Sequence, residues 1–219
     1  AEQLLNWRFW VAVLAWCLLV LAAARPERIG DELEIPVAGR NLMLAVDLSG
    51  SMDQKDFELA GRRVDRLTAT KAVASDFITR REGDRIGLIM FGERAYLLVP
   101  LTLDRDTLKT LLLEAEIGLA GEKTAFGDSI TLAVRRVHEQ TEDAGEQVLV
   151  LLTDGANTAG EIQPLKAAEL AQQVGLRIYT IGIGADSMSV SSLLGGRRSV
   201  NPSADLDEAT LTKIAQLTG

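Results

Sequence analysis

One cysteine, one histidine, five prolines and 5% aromatic residues are all that the 219 residues contain of those types. The single cysteine, Cys17, excludes an intramolecular disulfide and leaves the redox compartment unread. The lone histidine, His138, stands among Arg135, Arg136 and Glu139 near the end of a predicted helix, where a solvated position is expected. With one remote histidine and one cysteine, no Ser-His-Asp or Cys-His catalytic set can be assembled. A basic excess is missing too. The net charge is −8, and the segment after Ala24 holds 22 Lys+Arg against 30 Asp+Glu. Nucleic acid is therefore excluded as a partner, because its phosphates need a basic face. Gly182 and Gly184 lack the third glycine of a dinucleotide-binding turn and are read as close-packing positions. What the chain does have is 47% hydrophobic content, enough to core one α/β domain with an appendage.

The appendage comes first. Residues 9–24, FWVAVLAWCLLVLAAA, carry no charge; Trp7 stands just before them, and Trp10 and Trp16 fall in their first half. A full membrane span needs about 20 residues, so the run qualifies only with Leu4 and Leu5 included and Arg8 snorkelling to the interface. A signal peptide is the competing reading, since Ala22-x-Ala24 is a legal cleavage pattern, but no basic segment precedes the run. The expectation is a transmembrane helix over residues 1–25, stopped by Arg25-Pro26, then a linker over 26–40. Arg25, Arg28 and Arg40 lean toward a cytoplasmic domain, with both orientations standing as alternatives. The chain opens at Ala1 without a methionine, as a fragment or a processed form would.

Beyond the linker, short aliphatic runs alternate with helical periodicity. Residues 42–46, 85–91, 148–152 and 178–183 have no polar alternation, as expected of strands buried on both faces of a parallel sheet. Residues 95–99 read as an edge strand closed by Pro100. Helices are predicted from about 67 to 81, over 104–114, after Thr124, around 167–174 with Gly175 ending it, and behind Asp207. Residues 53–66 and 184–205 are read as irregular. The order strand-helix-strand-helix predicts a doubly wound, mostly parallel α/β sheet over 41–219.

The residues that carry chemistry end these strands. After the first strand comes Asp47-Leu48-Ser49-Gly50-Ser51, with a carboxylate and two hydroxyls at alternate positions of a tight loop. Such oxygens can converge on one small hard cation, and the glycine lets the backbone turn around it. Thr124 stands just ahead of a helix, and Asp154 ends the third buried strand as Thr153-Asp154-Gly155. Asp47, Ser49, Ser51, Thr124 and Asp154 are thus the candidate metal ligands. Mg²⁺ suits hydroxyl-rich octahedral coordination that retains water, with Mn²⁺ or Ca²⁺ as alternatives. Asp53 and Asp56 follow the first loop, where solvated positions or outer contacts to the metal loop are both open readings.

The series DLSGSM, GEKTAFGDSI, LLTDG and YTIGIG resembles the von Willebrand factor type A (VWA) family with its metal-ion-dependent adhesion site. Together these motifs cover most of residues 41–184. The resemblance implies a Rossmann-like fold and a Mg²⁺ held by the five residues above. It also implies an exposed coordination position that accepts a carboxylate from a partner protein. The helix ending Ala-Arg-Pro, with GDRIGLIMFGERAYLLVPLT and LLTDGANTAGEIQPLKAAELAQQVGLRIYTIGIG, is similar to the bacterial aerotolerance (Bat-type) membrane proteins. That likeness implies a bacterial inner-membrane location, a MoxR-type AAA+ ATPase and sibling VWA proteins as partners, and a role in stress tolerance. It implies too that the domain stops before its last strand. The alternative is a Mg²⁺-dependent phosphohydrolase of haloacid-dehalogenase type with Asp47 as nucleophile. That chemistry asks for a second aspartate two positions on; Ser49 stands there and cannot protonate a leaving group, so no enzyme is expected.

Overall fold

The computed structural model describes residues 2–24, 39–139, 145–184, 188–191, 197–200 and 206–219. Two compact units divide the chain, Ala1–Pro36 and Val37–Gly219. The first contains α1 (Glu2–Ala23), a 22-residue helix whose Trp10, Trp16 and Leu21 side chains are exposed. Among the described residues no helix is long and apolar enough to cross a membrane. The expected span is corrected on that point. Asn6 and Arg8 break the apolar character of the helix, leaving the sixteen residues 9–24 against the roughly 20 a bilayer asks for. The linker lies outside the described residues up to position 38.

The second unit runs β1 (Asn41–Asp47), a single 3₁₀ turn (Gly50–Asp53), β2 (Phe57–Leu59), β3 (Arg62–Val64), α2 (Arg66–Arg80), β4 (Arg85–Phe91) and β5 (Ala95–Thr102). It continues through α3 (Arg105–Glu114), α4 (Phe126–Glu139), β6 (Gln147–Thr153), α5 (Pro164–Gln173), β7 (Arg177–Gly182), β8 (Met188–Ser191), β9 (Arg197–Val200) and α6 (Glu208–Thr218). The main sheet has the order β5-β4-β1-β6-β7, parallel except for β5, which pairs antiparallel with β4. This is the mostly parallel α/β sheet that the uninterrupted aliphatic runs predict. Every residue of β1 is buried, so the strand has helices to satisfy on both faces.

One face carries Leu42, Leu44 and Val46 against Leu67, Ala74 and Ile78 of α2 and Leu108 and Leu112 of α3. The other carries Met43 and Ala45 against Phe126 and Ile130 of α4, Ala168 of α5 and Ile214 of α6. Helix starts follow local chemistry. Asp65, Asp104 and Asp207 each accept a hydrogen bond from the backbone N–H three residues on, at 2.7, 3.0 and 3.0 Å. Gly127 permits the close approach of α4 to the chain entering α5, since a Cβ there would lie 2.1 Å from the Ile162 carbonyl oxygen. Gly182 packs under Leu206, which a Cβ would meet at 2.8 Å, in agreement with its reading as a packing position.

Four local expectations are corrected. β7 is not buried on both faces, for it stands at the edge of the described sheet and leaves Tyr179 and Ile181 exposed. Residues 53–66 are not irregular throughout, for β2 and β3 form an antiparallel hairpin there. β5 does not end at Pro100 but continues to Thr102. An edge strand leaves one side of its backbone unpaired, and the register is irregular between Val99 and Thr102, so the missing N–H costs the sheet nothing. Within 184–205, the described residues Met188–Ser191 and Arg197–Val200 pair as a second antiparallel hairpin.

Candidate metal centre

β1 and β6 lie side by side, and their crossovers leave in opposite directions, β1 toward β4 and β6 toward β7. The crevice beyond their carboxyl ends is the switch point of the sheet, where open α/β folds place ligands. Asp47 is the last residue of β1 and Thr153 the last of β6.

Four of the five candidate ligands form one hydrogen-bonded chain there. Asp47 Oδ1 accepts the Ser49 backbone N–H at 2.9 Å, an Asx-type turn that folds the loop back on itself. Ser49 Oγ lies 3.0 Å from Ser51 Oγ, and Ser51 Oγ donates to Asp154 Oδ1 at 2.7 Å. Asp47, Ser49 and Asp154 are buried. Thr124 is buried as well; it lies in the second loop, residues 115–125 ahead of α4, and is bonded to the third loop, residues 154–163 after β6. Its backbone N–H donates to Thr158 Oγ1 at 3.1 Å, and its carbonyl accepts from the N–H groups of Thr158 and Ala159. The second loop is tied to the first through Gly50 N–H to the Glu122 carbonyl at 3.0 Å. A Cβ at Gly50 would meet the Glu122 carboxylate at 2.3 Å, which that side chain can relieve by turning away, and the Glu122 carbonyl only at 3.6 Å.

Two contributors escape a reading of local motifs. Thr153 donates its hydroxyl to Asp47 Oδ2 at 2.6 Å, fixing the second carboxylate oxygen. Arg66, at the start of α2, is fully buried and joins two carboxylates. Its Nε donates to Asp56 Oδ2 at 2.9 Å, and its Nη1 donates to Asp154 Oδ2 at 2.8 Å. Burial opposes the charge on this guanidinium, but Asp56 and Asp154 hold its pKa above the ordinary arginine value. Asp56 therefore belongs to the surroundings of the site, while Asp53 is exposed. Thr153 carries a sequence signal, a hydroxyl ending a buried strand beside the aspartate. Arg66 gives no local signal, since its partner Asp154 lies 88 residues away.

The donor set fits a hard divalent cation. Among the described residues no group of three or more His, Cys, Asp or Glu is placed to hold a metal. The centre is instead one of hydroxyls with two carboxylates, suited to an ion that keeps part of its water. Arg66 already offsets one negative charge.

Burial pushes the Asp47 carboxyl up to about 6 from 3.8; hydrogen bonds from Ser49 and Thr153 act the other way, and the Asp154 charge adds to the rise. A folded-state value above the unfolded one makes the native protein the better proton binder between those limits. The stability that Asp47 contributes in metal-free buffer is thus greatest below about pH 4 and falls as pH rises to about 6, by roughly 3 kcal/mol. Urea unfolding in EDTA should show this as a pH-dependent difference between wild type and Asp47→Asn. A difference that stays flat from pH 4 to 7 would contradict it.

A doubly wound sheet with oxygen-bearing loops gathered at its switch point defines the class of domain. The chain belongs to the von Willebrand factor type A domain family, whose family model matches residues 41–216. It is similar to an uncharacterized protein of Borreliella burgdorferi, 33% identical over 172 residues, covering 78% of this chain and 49% of that protein. The chain thus spans about half the length of this curated relative. Among solved structures it is similar to an aerotolerance-related membrane protein from Bacteroides fragilis, with 26% identity and a TM-score of 0.66 over 82% of this chain and 88% of that one. It also shares its fold with proximal thread matrix protein 1 from the mussel byssus, described with a zinc-occupied MIDAS motif. That likeness has a TM-score of 0.58 and 18% identity, over 81% of this chain and 41% of that one. The likeness to the aerotolerance proteins read from the sequence therefore holds.

Proposed function

We propose that this chain is the partner-binding domain of a membrane-associated protein, and that it works by holding a divalent cation between its first, second and third loops. Ser49, Ser51 and Thr124 supply neutral hydroxyls, and Asp47 and Asp154 supply negative charge directly or through water. The observation that carries this reading is the unbroken chain Asp47–Ser49–Ser51–Asp154 at the switch point of the sheet. Few anionic ligands leave a cation electrophilic, so a carboxylate from a partner protein can complete its shell. Mg²⁺ is the proposed ion, with Mn²⁺ or Ca²⁺ as substitutes. The zinc described in the mussel protein supports a divalent ion at such a site.

The wider reading follows the relatives. The Bacteroides fragilis protein is an aerotolerance-related membrane protein, which supports a bacterial inner-membrane setting and a role in stress tolerance. A MoxR-type AAA+ ATPase and sibling VWA proteins are the proposed partners. VWA domains are in general interaction modules, and the role proposed here is binding rather than catalysis. Ser49 Oγ is hydrogen-bonded to Ser51 where a phosphohydrolase needs a second carboxylic acid, so the hydrolase alternative is not carried forward.

Co-purification with the ATPase tests the reading. Capture should be strong in Mg²⁺ and fall at least tenfold in EDTA or in Ser49→Ala. Capture indifferent to both would remove the metal from the mechanism.

A further inference from the structure

Arg66 offers no oxygen to a cation, yet it is built into the centre through Asp154. Asp56 and Arg66 flank the hairpin β2–β3, one directly before β2 and the other two residues after β3. Their side chains are essentially sealed from solvent, with exposures of 0% and 2%. The guanidinium forks onto Asp56 with Nε and Nη2, and its remaining nitrogen reaches Asp154. The Arg66 backbone N–H is also fixed, donating to the Gln54 carbonyl at 3.1 Å. Asp154 is thereby divided. Oδ1 faces Ser51 and the first loop, whereas Oδ2 is held by the arginine.

We propose that Arg66 is an internal counter-ion of the metal centre. It keeps Asp154 folded and oriented when no cation is present, and it weakens the hold on the cation so that binding is reversible. Asp56 sets the strength of this effect by drawing part of the guanidinium charge to the base of the hairpin. The inference rests on the metal reading above and adds its regulation. A buried cation within hydrogen-bond distance of a metal-binding carboxylate competes with the metal for the same negative charge.

Neutralising Arg66 and neutralising Asp56 then predict shifts of opposite sign. In Arg66→Gln, Asp154 and Asp56 lose their counter-charge, so Mg²⁺ affinity should rise on the order of tenfold. The metal-free domain should melt lower than wild type, and its gain in melting temperature on adding Mg²⁺ should exceed that of wild type. In Asp56→Asn, Arg66 loses the charge of Asp56 while keeping its contact to Asp154, and Mg²⁺ affinity should fall on the order of tenfold. A purely structural network would lower affinity in both variants, because both damage the same packing.

Calorimetric titration with MgCl₂, paired with melting curves in EDTA and in Mg²⁺, separates the cases. Wild type that binds Mg²⁺, with the two variants shifted oppositely, supports the counter-ion role. Binding by wild type with both variants weakened, or with neither changed, overturns that role and leaves the metal reading standing. No Mg²⁺ binding by wild type overturns both. Should Arg66→Gln fail to fold without metal, Arg66→Lys provides the second arm. It keeps the charge but loses the fork, and should stay within about threefold of wild-type affinity; a larger departure counts against the proposal.

Discussion

Asp154→Ala is expected to lose Mg²⁺ binding altogether and to destabilise the metal-free domain by about 3–5 kcal/mol. The two effects have different causes. Asp154 Oδ1 is one end of the chain through Ser51 and Ser49 to Asp47, so its removal opens the proposed cation seat on the β6 side. Asp154 Oδ2 is an acceptor for Arg66, which is buried. Truncating the carboxylate leaves part of that guanidinium's charge uncompensated, and an ion without its partner costs far more than a surface pair gains. Asp154→Asn should separate the two, because the amide keeps an oxygen for Arg66 while losing the charge a cation needs. It should recover roughly half of the stability and none of the Mg²⁺ binding. Urea unfolding in EDTA measures the first quantity and calorimetric titration the second. Asp154→Ala with wild-type stability would contradict the ion-pair account.

Phe126→Ala is expected to cost about 3–5 kcal/mol without touching any polar group of the centre. The ring is fully buried at the start of α4, on the face where α4, α5 and α6 cover the sheet. The same buried cluster holds Ile130 and Ala133 of its own helix and Ala167, Ala168 and Ala171 of α5. Those small side chains let α5 come close, which leaves little slack to collapse into the space a phenylalanine vacates. Gly127 next door is already pressed against the Ile162 carbonyl, so the backbone cannot slide inward. The cavity term should therefore add to the lost transfer energy rather than relax away. Urea unfolding should show a lower midpoint with an unchanged slope; a loss below about 1 kcal/mol would mean that the site repacks.

Much of the fold is legible in the sequence because its central strands β1, β4 and β6 are buried on both faces. Runs such as 42–46 and 148–152 have no polar alternation, and that pattern belongs to the middle of a parallel sheet. The positions of Asp47, Ser49, Ser51 and Asp154 are legible too, because D-x-S-x-S and T-D-G end those runs, and the parallel pairing of β1 with β6 brings these ends to one rim. The hairpin β2–β3 is hidden for a physical reason. Its two central residues, Ala60 and Gly61, both have positive φ, at 51° and 78°, as a two-residue hairpin turn requires. The usual signal is Asn-Gly or Asp-Gly, and alanine in that backbone region is uncommon enough to be passed over. Three-residue strands as polar as Arg62–Val64 carry no periodicity to offset that.

Arg66 is hidden differently. It reads as one more charged residue before a helix, and only the completed sheet brings Asp154 to it. The N-terminal helix shows the opposite failure. Its tryptophans and leucines suggest a span, while Asn6 and Arg8 cut the apolar length below what a bilayer needs.

The central claim is that loops from β1, from the segment before α4 and from β6 meet on one cation. A crystal of the domain soaked in Mn²⁺, with data collected at the manganese edge, tests this directly. The account predicts an anomalous peak bordered by Ser49, Ser51 and Thr124, with Asp47 and Asp154 in direct or water-mediated contact. Manganese elsewhere, or a Thr124 hydroxyl turned away from an ion held by the first loop alone, would contradict it.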